Sequence, residues 1–247
     1  MNTKETRLQQ ELERLRAKLL IMCASVDVAL DNASAALYGG NPERVETVLR
    51  GDAAINTLEM EIDDMALSIL ARNQPVAHDL RFVVAALRMV LDLERIGDEA
   101  VSVAERALML HARLPAAGMR IVNELMDAAR ALYARSVEVF RAGDAEKAMD
   151  LRRNEDEGSK KEMLALQRMV DYLRGRDGRE PDWTPDAGLH ALLACRALNR
   201  IRRRSVNIAE QTFFIARGEN IKHIRSGTDG GKAPPLCYAL GEGIPKA

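Results

Sequence analysis

Aromatic residues are scarce in this chain: phenylalanine, tryptophan and tyrosine make up 4% of its 247 residues, and tryptophan occurs once. No segment alternates Val, Ile, Thr or Tyr with polar residues in the way that predicts a half-buried β-strand. Hydrophobic residues nevertheless reach 47% and charged residues 30%, with Ala, Leu, Arg and Glu abundant. This composition is typical of a helical protein, and the length suffices for one large core or two small ones.

Cysteine and net charge are low as well. Cys23, Cys195 and Cys237 are odd in number and too far apart for a zinc motif, so we expect reduced thiols in a cytoplasmic protein. The net charge of −1 gives no basic field that would attract nucleic acid. Residues 1–18 are densely charged, and no uncharged apolar run approaches the ~18 residues of a membrane span. We therefore expect contact with a membrane only through partners.

Helical periodicity, interrupted by capping residues, predicts six helices. Gly39-Gly40 ends the first helix, and Asn41 caps the second. Pro115 closes the third, Asp144 caps the fifth, and Thr184-Pro185 opens the sixth. The predicted helices span residues 3–38, 42–72, 75–114, 119–141, 145–174 and 185–217.

The last three helices repeat the first three. At an offset of 105 residues, Leu93, Arg95-Ile96 and Ala104-Glu105 match Leu198, Arg200-Ile201 and Ala209-Glu210, which indicates an internal duplication. The sequence therefore predicts an all-α fold of two tandem three-helix bundles of antiparallel helices. The predicted domains are residues 3–114 and 115–225, followed by a Gly- and Pro-rich tail, 226–247, that we expect to be disordered.

The third predicted helix has three distinct faces. Glu94 and Asp98 interrupt an otherwise apolar stripe, and a second, wholly apolar stripe lies nearly opposite, from Phe82 to Leu110. A helix that is apolar on two sides needs two neighbours, which predicts a homodimer unless the other half of the chain supplies the second one. The third face alternates positive and negative charges, which predicts ion pairs on the solvent side. Its members are Arg81, Arg88, Asp92, Arg95, Glu99, Ser102 and Arg106.

Acidic residues interrupt a stripe of the second helix in the same way. If the flanking apolar residues are to be buried, the two acidic stripes must face each other, so Asp52, Glu59, Glu94 and Asp98 should converge. Carboxylates at i and i+4 repel each other, and a bound cation would reverse this; iron, zinc or magnesium would suit oxygen ligands. Asp27 or Asp31 of the first helix could be added. The alternative is that these acids simply face solvent.

Three segments carry a close resemblance to the PhoU family of phosphate-signalling proteins: Gln74–Arg81, Asp92–Asp98 and Val103–Arg106. The resemblance extends over about residues 5–225. It implies two tandem three-helix bundles and metal clusters held by a motif of Glu or Asp, three residues, and Asp. Glu94–Asp98 fits this motif, and Asp52–Asn56 fits with an amide in place of the second acid. With Glu59 from the acidic stripe of the second helix, the predicted metal ligands are Asp52, Asn56, Glu59, Glu94 and Asp98.

The function implied by the resemblance is that of a non-enzymatic regulator. Such a protein would couple the ATPase of a phosphate ABC transporter to a phosphate sensor histidine kinase and repress the phosphate-starvation response. One alternative is a di-iron carboxylate enzyme, which needs Glu-x-x-His pairs; no histidine here has an acid three residues earlier. Another is nucleic-acid binding by Arg200, Arg202, Arg203 and Arg204, which lack interleaved aromatics.

The second half departs from the acidic pattern. The positions aligned with Glu94 and Asp98 are Asn199 and Arg203, and Asn154 and Gly158 stand near those of Asp52 and Asn56. An arginine cannot be a metal ligand, so we expect no metal in this half. Arg203 could instead act as a built-in cation, or it could point to solvent. Its predicted acidic partners are Glu155, Asp156 and Glu157.

Overall fold

The computed structural model describes residues 3–174 and 183–221, without the side chains of residues 3–5, 156 and 162. These residues form helices joined by short turns, with no strand among them. Several parts of the chain lie outside the described residues: the predicted tail 226–247, Cys237, His223 and most of the loop before Trp183. The described helices are α1 (Thr3–Gly39), α2 (Pro42–Asn73), α3 (Ala77–Arg113), α4 (Ala116–Ala142), α5 (Ala145–Arg153), α6 (Glu155–Leu173) and α7 (Pro185–Arg217).

The helix ends follow the capping signals of the sequence. The Asn41 side chain accepts a hydrogen bond from the Glu43 amide at 2.8 Å, and Asp144 accepts one from the Lys147 amide at 3.0 Å. Gly143 ends α4 with a φ of 65°, a left-handed conformation that glycine adopts without strain. The predicted all-α fold is confirmed for the described residues. The helix ends were predictable because each capping signal acts within a single turn of helix.

The predicted fifth helix is divided. Asn154 separates α5 from α6 and has a φ of −76° and a ψ of −7°. Asparagine is a poor residue for a helix interior, because its side chain competes with the helical hydrogen bonds. The division gives the second half a short α5 and a longer α6 where the first half has the continuous α2.

The two halves share one core. A single cluster of buried apolar side chains contains members of α1, α2, α3, α4, α6 and α7. The most extensive packing is between α3 and α7, which belong to different halves. All nine residues of the apolar stripe from Phe82 to Leu110 are buried, as the periodicity of the sequence predicts. A smaller cluster joins α5 to α4 and α7 through Ala148, Val139 and Phe213.

Most of the charged face of α3 packs against α7 instead of facing solvent, so the prediction of solvent-side ion pairs was wrong. Arg81 donates a hydrogen bond to a backbone carbonyl of α7 at 3.1 Å. Asp92 pairs with Arg204 at 3.1 Å, and Glu99 pairs with Arg200 at 2.7 Å. The charged stripe alone could not predict this contact, because α7 lies more than a hundred residues further along the sequence.

Helix α1 is long and contains a strongly apolar stretch. Among the described helices, it alone is long and apolar enough to cross a membrane, within Thr6–Gly39, and 56% of the relevant window is buried inside the protein. A helix at the centre of a helical core has the same composition, because several neighbours cover it. Contact of α1 with α2, α3 and α4 accounts for its apolar character.

Candidate metal centre

The helices α2 and α3 approach each other closely at Gly97. A Cβ atom at Gly97 would lie 3.1 Å from Cδ1 of Ile55 and 3.9 Å from Oδ1 of Asp52. Glycine in a helix interior costs ~1 kcal/mol relative to alanine, and this contact explains its presence. The backbone of α3 therefore lies directly against the turn of α2 that carries Asp52 and Asn56.

Four carboxylates form one electrostatic group around this contact. Burial, with the nearby charges of Asp98 and Glu59, raises the pKa of Glu94 to about 7. Burial and the charge of Asp98 also raise the pKa of Asp52. A carboxyl group whose pKa is raised by like charges is in a site that favours a bound cation or a proton. The structure thus brings Asp52, Glu59, Glu94 and Asp98 together.

Two buried oxygen atoms of this group have no hydrogen-bond partner among the described residues. They are Oδ1 of Asp52 and Oδ1 of Asn56, although the Asn56 amide donates to the other oxygen of Asp52 at 3.1 Å. An unsatisfied buried acceptor costs about 1–3 kcal/mol, and more if it is charged. These two oxygens therefore offer a place for a cation.

The side chains do not stand in a finished coordination geometry. Among the described residues, no three His, Cys, Asp or Glu side chains converge closely enough to hold a metal ion as they stand. Asp98 is exposed, and Glu59 and Glu94 are half-buried. Ligation would therefore require these more exposed carboxylates to rotate toward Asp52.

The acids of α1 do not belong to this group. Asp31 forms an ion pair with Arg130 of α4, and Asp27 lines a cavity with Tyr133 and Arg141. Their suggested addition to the cation site was wrong, because this face of α1 is turned toward α4.

The buried positions of the second half define its register against the first. Residues of α2 and their counterparts in α5 and α6 are buried at a constant offset of 103 residues. The pairs are Val45 and Ala148, Val48 and Leu151, Ile62 and Ala165, and Ala66 and Met169. The counterparts of Asp52, Ile55 and Asn56 are consequently Glu155, Gly158 and Ser159. The predicted counterparts Asn154 and Gly158 were wrong by one residue, because the turn between α5 and α6 obscures the helical period.

A guanidinium group occupies the second-half counterpart of the acidic site. Arg202, at the position of Gly97, donates to both oxygens of Glu155 at 2.7 and 3.0 Å and to Oγ of Ser159 at 2.9 Å. The side chains of Arg202 and Glu155 are 8% and 14% exposed. Gly158 leaves room for this group, since a Cβ there would lie 2.9 Å from Nη1 of Arg202.

The prediction of a built-in cation therefore named the wrong arginine. Arg203 is exposed, and it aligns with Asp98, which is exposed as well. The signal that could have identified Arg202 is its alignment with Gly97, the position that faces the neighbouring helix. Of the predicted acidic partners, Glu155 forms the pair, Glu157 is bound to Lys161, and the side chain of Asp156 lies outside the described residues.

Comparison with known proteins reproduces the internal repeat. The family model described as the PhoU domain matches this chain twice, over residues 19–107 and 122–212. The chain belongs to the PhoU family.

Several family members are similar over most of their length. The phosphate-specific transport system accessory protein PhoU homolog of Pseudomonas putida is 32% identical, over 87% of this chain and 82% of that protein. PhoU of Escherichia coli K12 is 27% identical, over 87% of both chains. The crystal structure of PhoU from Pseudomonas aeruginosa has a TM-score of 0.79 at 31% identity and covers 85% of this chain and 99% of that one. PhoU from Streptococcus pneumoniae, at 22% identity and a TM-score of 0.75, shows the same fold.

The alternative predictions find little support in this PhoU-family chain. Among the described residues, no three His, Cys, Asp or Glu side chains are close enough to hold a metal ion as they stand, and a di-iron bundle enzyme requires clustered Glu and His ligands. Three of the four arginines considered for nucleic-acid binding, Arg200, Arg202 and Arg204, form ion pairs with acids of the same chain.

Proposed function

We propose that this protein is a non-enzymatic, cytoplasmic regulator of phosphate uptake and phosphate-starvation signalling. Its partners would be the ATPase of a phosphate ABC transporter and a phosphate sensor histidine kinase, and it would repress the starvation response when phosphate is plentiful. The observation that carries this proposal is the double family match over residues 19–107 and 122–212. The relatives, named accessory proteins of the phosphate-specific transport system, support it.

Complementation tests this proposal. In a bacterium that lacks its own PhoU, a phosphate-starvation reporter should be active in phosphate-rich medium, and expression of this chain should lower it. Co-purification with the tagged transporter ATPase and with the kinase would test the two partners separately. A reporter that stays fully active, although the chain is abundant and folded, would contradict the proposed regulatory role.

We also propose that Asp52, Asn56, Glu59, Glu94 and Asp98 hold a cation such as iron, zinc or magnesium. The second half supports this, because Arg202 places a positive group against Glu155 and Ser159. Their first-half counterparts, Asp52 and Asn56, each keep a buried oxygen without a partner among the described residues. A bound cation would neutralise the acidic group and fasten α2 to α3, while the second half would need no metal.

Metal analysis of the purified protein tests the cation site. We expect Glu94→Gln combined with Asp98→Asn to reduce the bound metal at least tenfold, because two charged ligands are lost. Asp64→Asn, which removes an exposed acid of α2, should leave the metal content unchanged. Equal metal content in all three proteins would show that the cation binds elsewhere or that none is bound.

A further inference from the structure

A cavity of about 450 Å³ lies in the second half, between α4, α6 and α7. This volume falls within the range of small-molecule sites. The apolar part of its lining is formed by Leu125, Leu132, Leu151, Ala165 and Leu198. Burial of an apolar ligand body against these side chains would be favourable.

The cavity is open because α6 is packed less tightly than its first-half counterpart. Helix α2 makes extensive contact with both α1 and α3, whereas α6 touches α4 and α7 at fewer places. Gly158 lines the cavity at the position where α2 carries the fully buried Ile55, and the guanidinium of Arg202 lies beside it. The exposed Leu164 extends the apolar lining toward solvent.

One residue of the cavity lining contains an unsatisfied polar atom. Oδ1 of Asn199 is buried and has no hydrogen-bond partner among the described residues, and Asn199 lines the cavity. This residue occupies the position that Glu94 has in the first half. After rotation of the Asn199 amide toward the cavity, a ligand with a hydroxyl or amine donor would satisfy this oxygen.

The charge of the lining is positive. It contains four basic residues, Arg135, Lys161, Arg168 and Arg202, and two acidic ones, Glu124 and Glu155. Both acids already bind a basic residue of the lining, Glu124 with Arg168 at 2.9 Å and Glu155 with Arg202 at 2.7 Å. The remaining positive charges belong to Arg135 and to Lys161, which also contacts Glu157 outside the lining.

We propose that this cavity binds a small amphipathic anion. Its apolar body would lie between α4 and α6, a hydrogen-bond donor would meet Asn199, and a carboxylate or phosphate-monoester group would lie near Arg135. The second half would then bind an organic anion at the level where the first half collects carboxylates. This site is independent of the proposed cation site and uses other residues.

Displacement of a fluorescent dye, 8-anilinonaphthalene-1-sulfonate, by three matched probes tests this proposal. The probe 8-hydroxyoctanoate has the acid, the chain and the donor; octanoate lacks the donor, and 1,8-octanediol lacks the acid. We expect 8-hydroxyoctanoate to bind at least fivefold more tightly than either. Arg135→Ala should remove its advantage over the diol, whereas Arg141→Ala, an exposed arginine of the same helix outside this lining, should preserve it.

A second pair of variants locates the bound probe. Ala128→Phe fills the mouth of the cavity and should abolish binding, while Ala131→Phe, one turn along α4 and outside the lining, should have no effect. If Ala128→Phe does not fold, hydrogen exchange of the unaltered protein replaces it, with protection expected in residues 124–135 and 158–168. Equal binding of acid and diol, binding that survives Ala128→Phe, protection elsewhere, or loss of binding in the Glu94→Gln, Asp98→Asn variant would overturn the proposal.

Discussion

Glu94 has the largest pKa shift in the acidic site. Its pKa is raised from 4.5 to about 7 by burial and by the charges of Asp98 and Glu59. Between these two pH values the folded, metal-free protein binds more protons than the unfolded chain, so the free energy of unfolding falls as pH rises. The stabilising contribution of protonated Glu94 is complete below about 4.5 and is lost as pH passes about 7.

This titration predicts a measurable difference between two proteins. In chelator-treated samples, the stability of the unaltered protein relative to Glu94→Gln should decrease from pH 5 to pH 8 by on the order of 1 kcal/mol, because solvent screens a half-buried group. Urea denaturation at several pH values measures it. A difference that stays constant over this range would mean that Glu94 has an ordinary pKa.

Arg202 and Arg203 are neighbours in sequence and differ in burial. Arg202→Ala would leave the buried carboxylate of Glu155 without its partner, which costs about 3–5 kcal/mol. Arg203→Ala removes an exposed side chain and should change the stability by less than about 0.5 kcal/mol. Thermal or urea unfolding of both variants checks the assignment. Similar losses in the two variants would be incompatible with Arg202 as the specific internal cation.

At the scale of helices, polar pairs fix the contact between α3 and α7. Asp92 accepts hydrogen bonds from both Arg204 and Asn207 at 3.1 Å, and its side chain is 14% exposed. We expect Asp92→Ala to destabilise the protein by about 2–3 kcal/mol, since both donors lose their acceptor. Glu105→Ala, an exposed acid of the same helix, is the control. A loss for Asp92→Ala no larger than for the control would show that the pair is replaced by water without penalty.

The same helices show which features the sequence could predict. Helix ends such as Asn41 and Gly143 were predictable, because a cap needs only a few neighbouring residues. The buried stripe of α3 was predictable from its period. The direction of the Asp92 and Glu99 face was not, because it depends on α7, which no local pattern places there. The Arg202 pair was missed because the sequence prediction chose the next residue, Arg203. Consecutive side chains on a helix point about 100° apart, so the two arginines have different surroundings.

At the scale of the whole molecule, the shared core affects both folding and assembly. The apolar cluster runs through both halves, so we expect the protein to unfold in a single cooperative transition. Calorimetry should give equal calorimetric and van't Hoff enthalpies. Two separated transitions would instead support independent units with the proposed boundaries at residues 3–114 and 115–225.

The homodimer stays a prediction, although α3 no longer supports it by offering a second apolar side. Helices α1, α2 and α7 of the same chain all pack against α3 and its wholly apolar stripe is buried, so this surface is no longer available to a second copy. Light scattering at tens of micromolar decides the matter, and a dimeric mass would point to other surfaces. Leu67 and Met60 of α2 are exposed apolar residues whose replacement by glutamine would then be the next step.

The exchange of glycine between the two helix pairs restricts the routes by which one half could become like the other. In the first half Ile55 fills the space beside Gly97, and in the second half Arg202 fills the space beside Gly158. Gly158→Ile alone would make a side chain clash with the guanidinium of Arg202. Arg202→Gly alone would leave Glu155 without its partner and next to a cavity. Each step is harmful without the other, so both singly altered proteins should be less stable than the protein with both changes or with neither. In this way the two halves of a duplicated protein can reach a state in which no single substitution makes one half resemble the other.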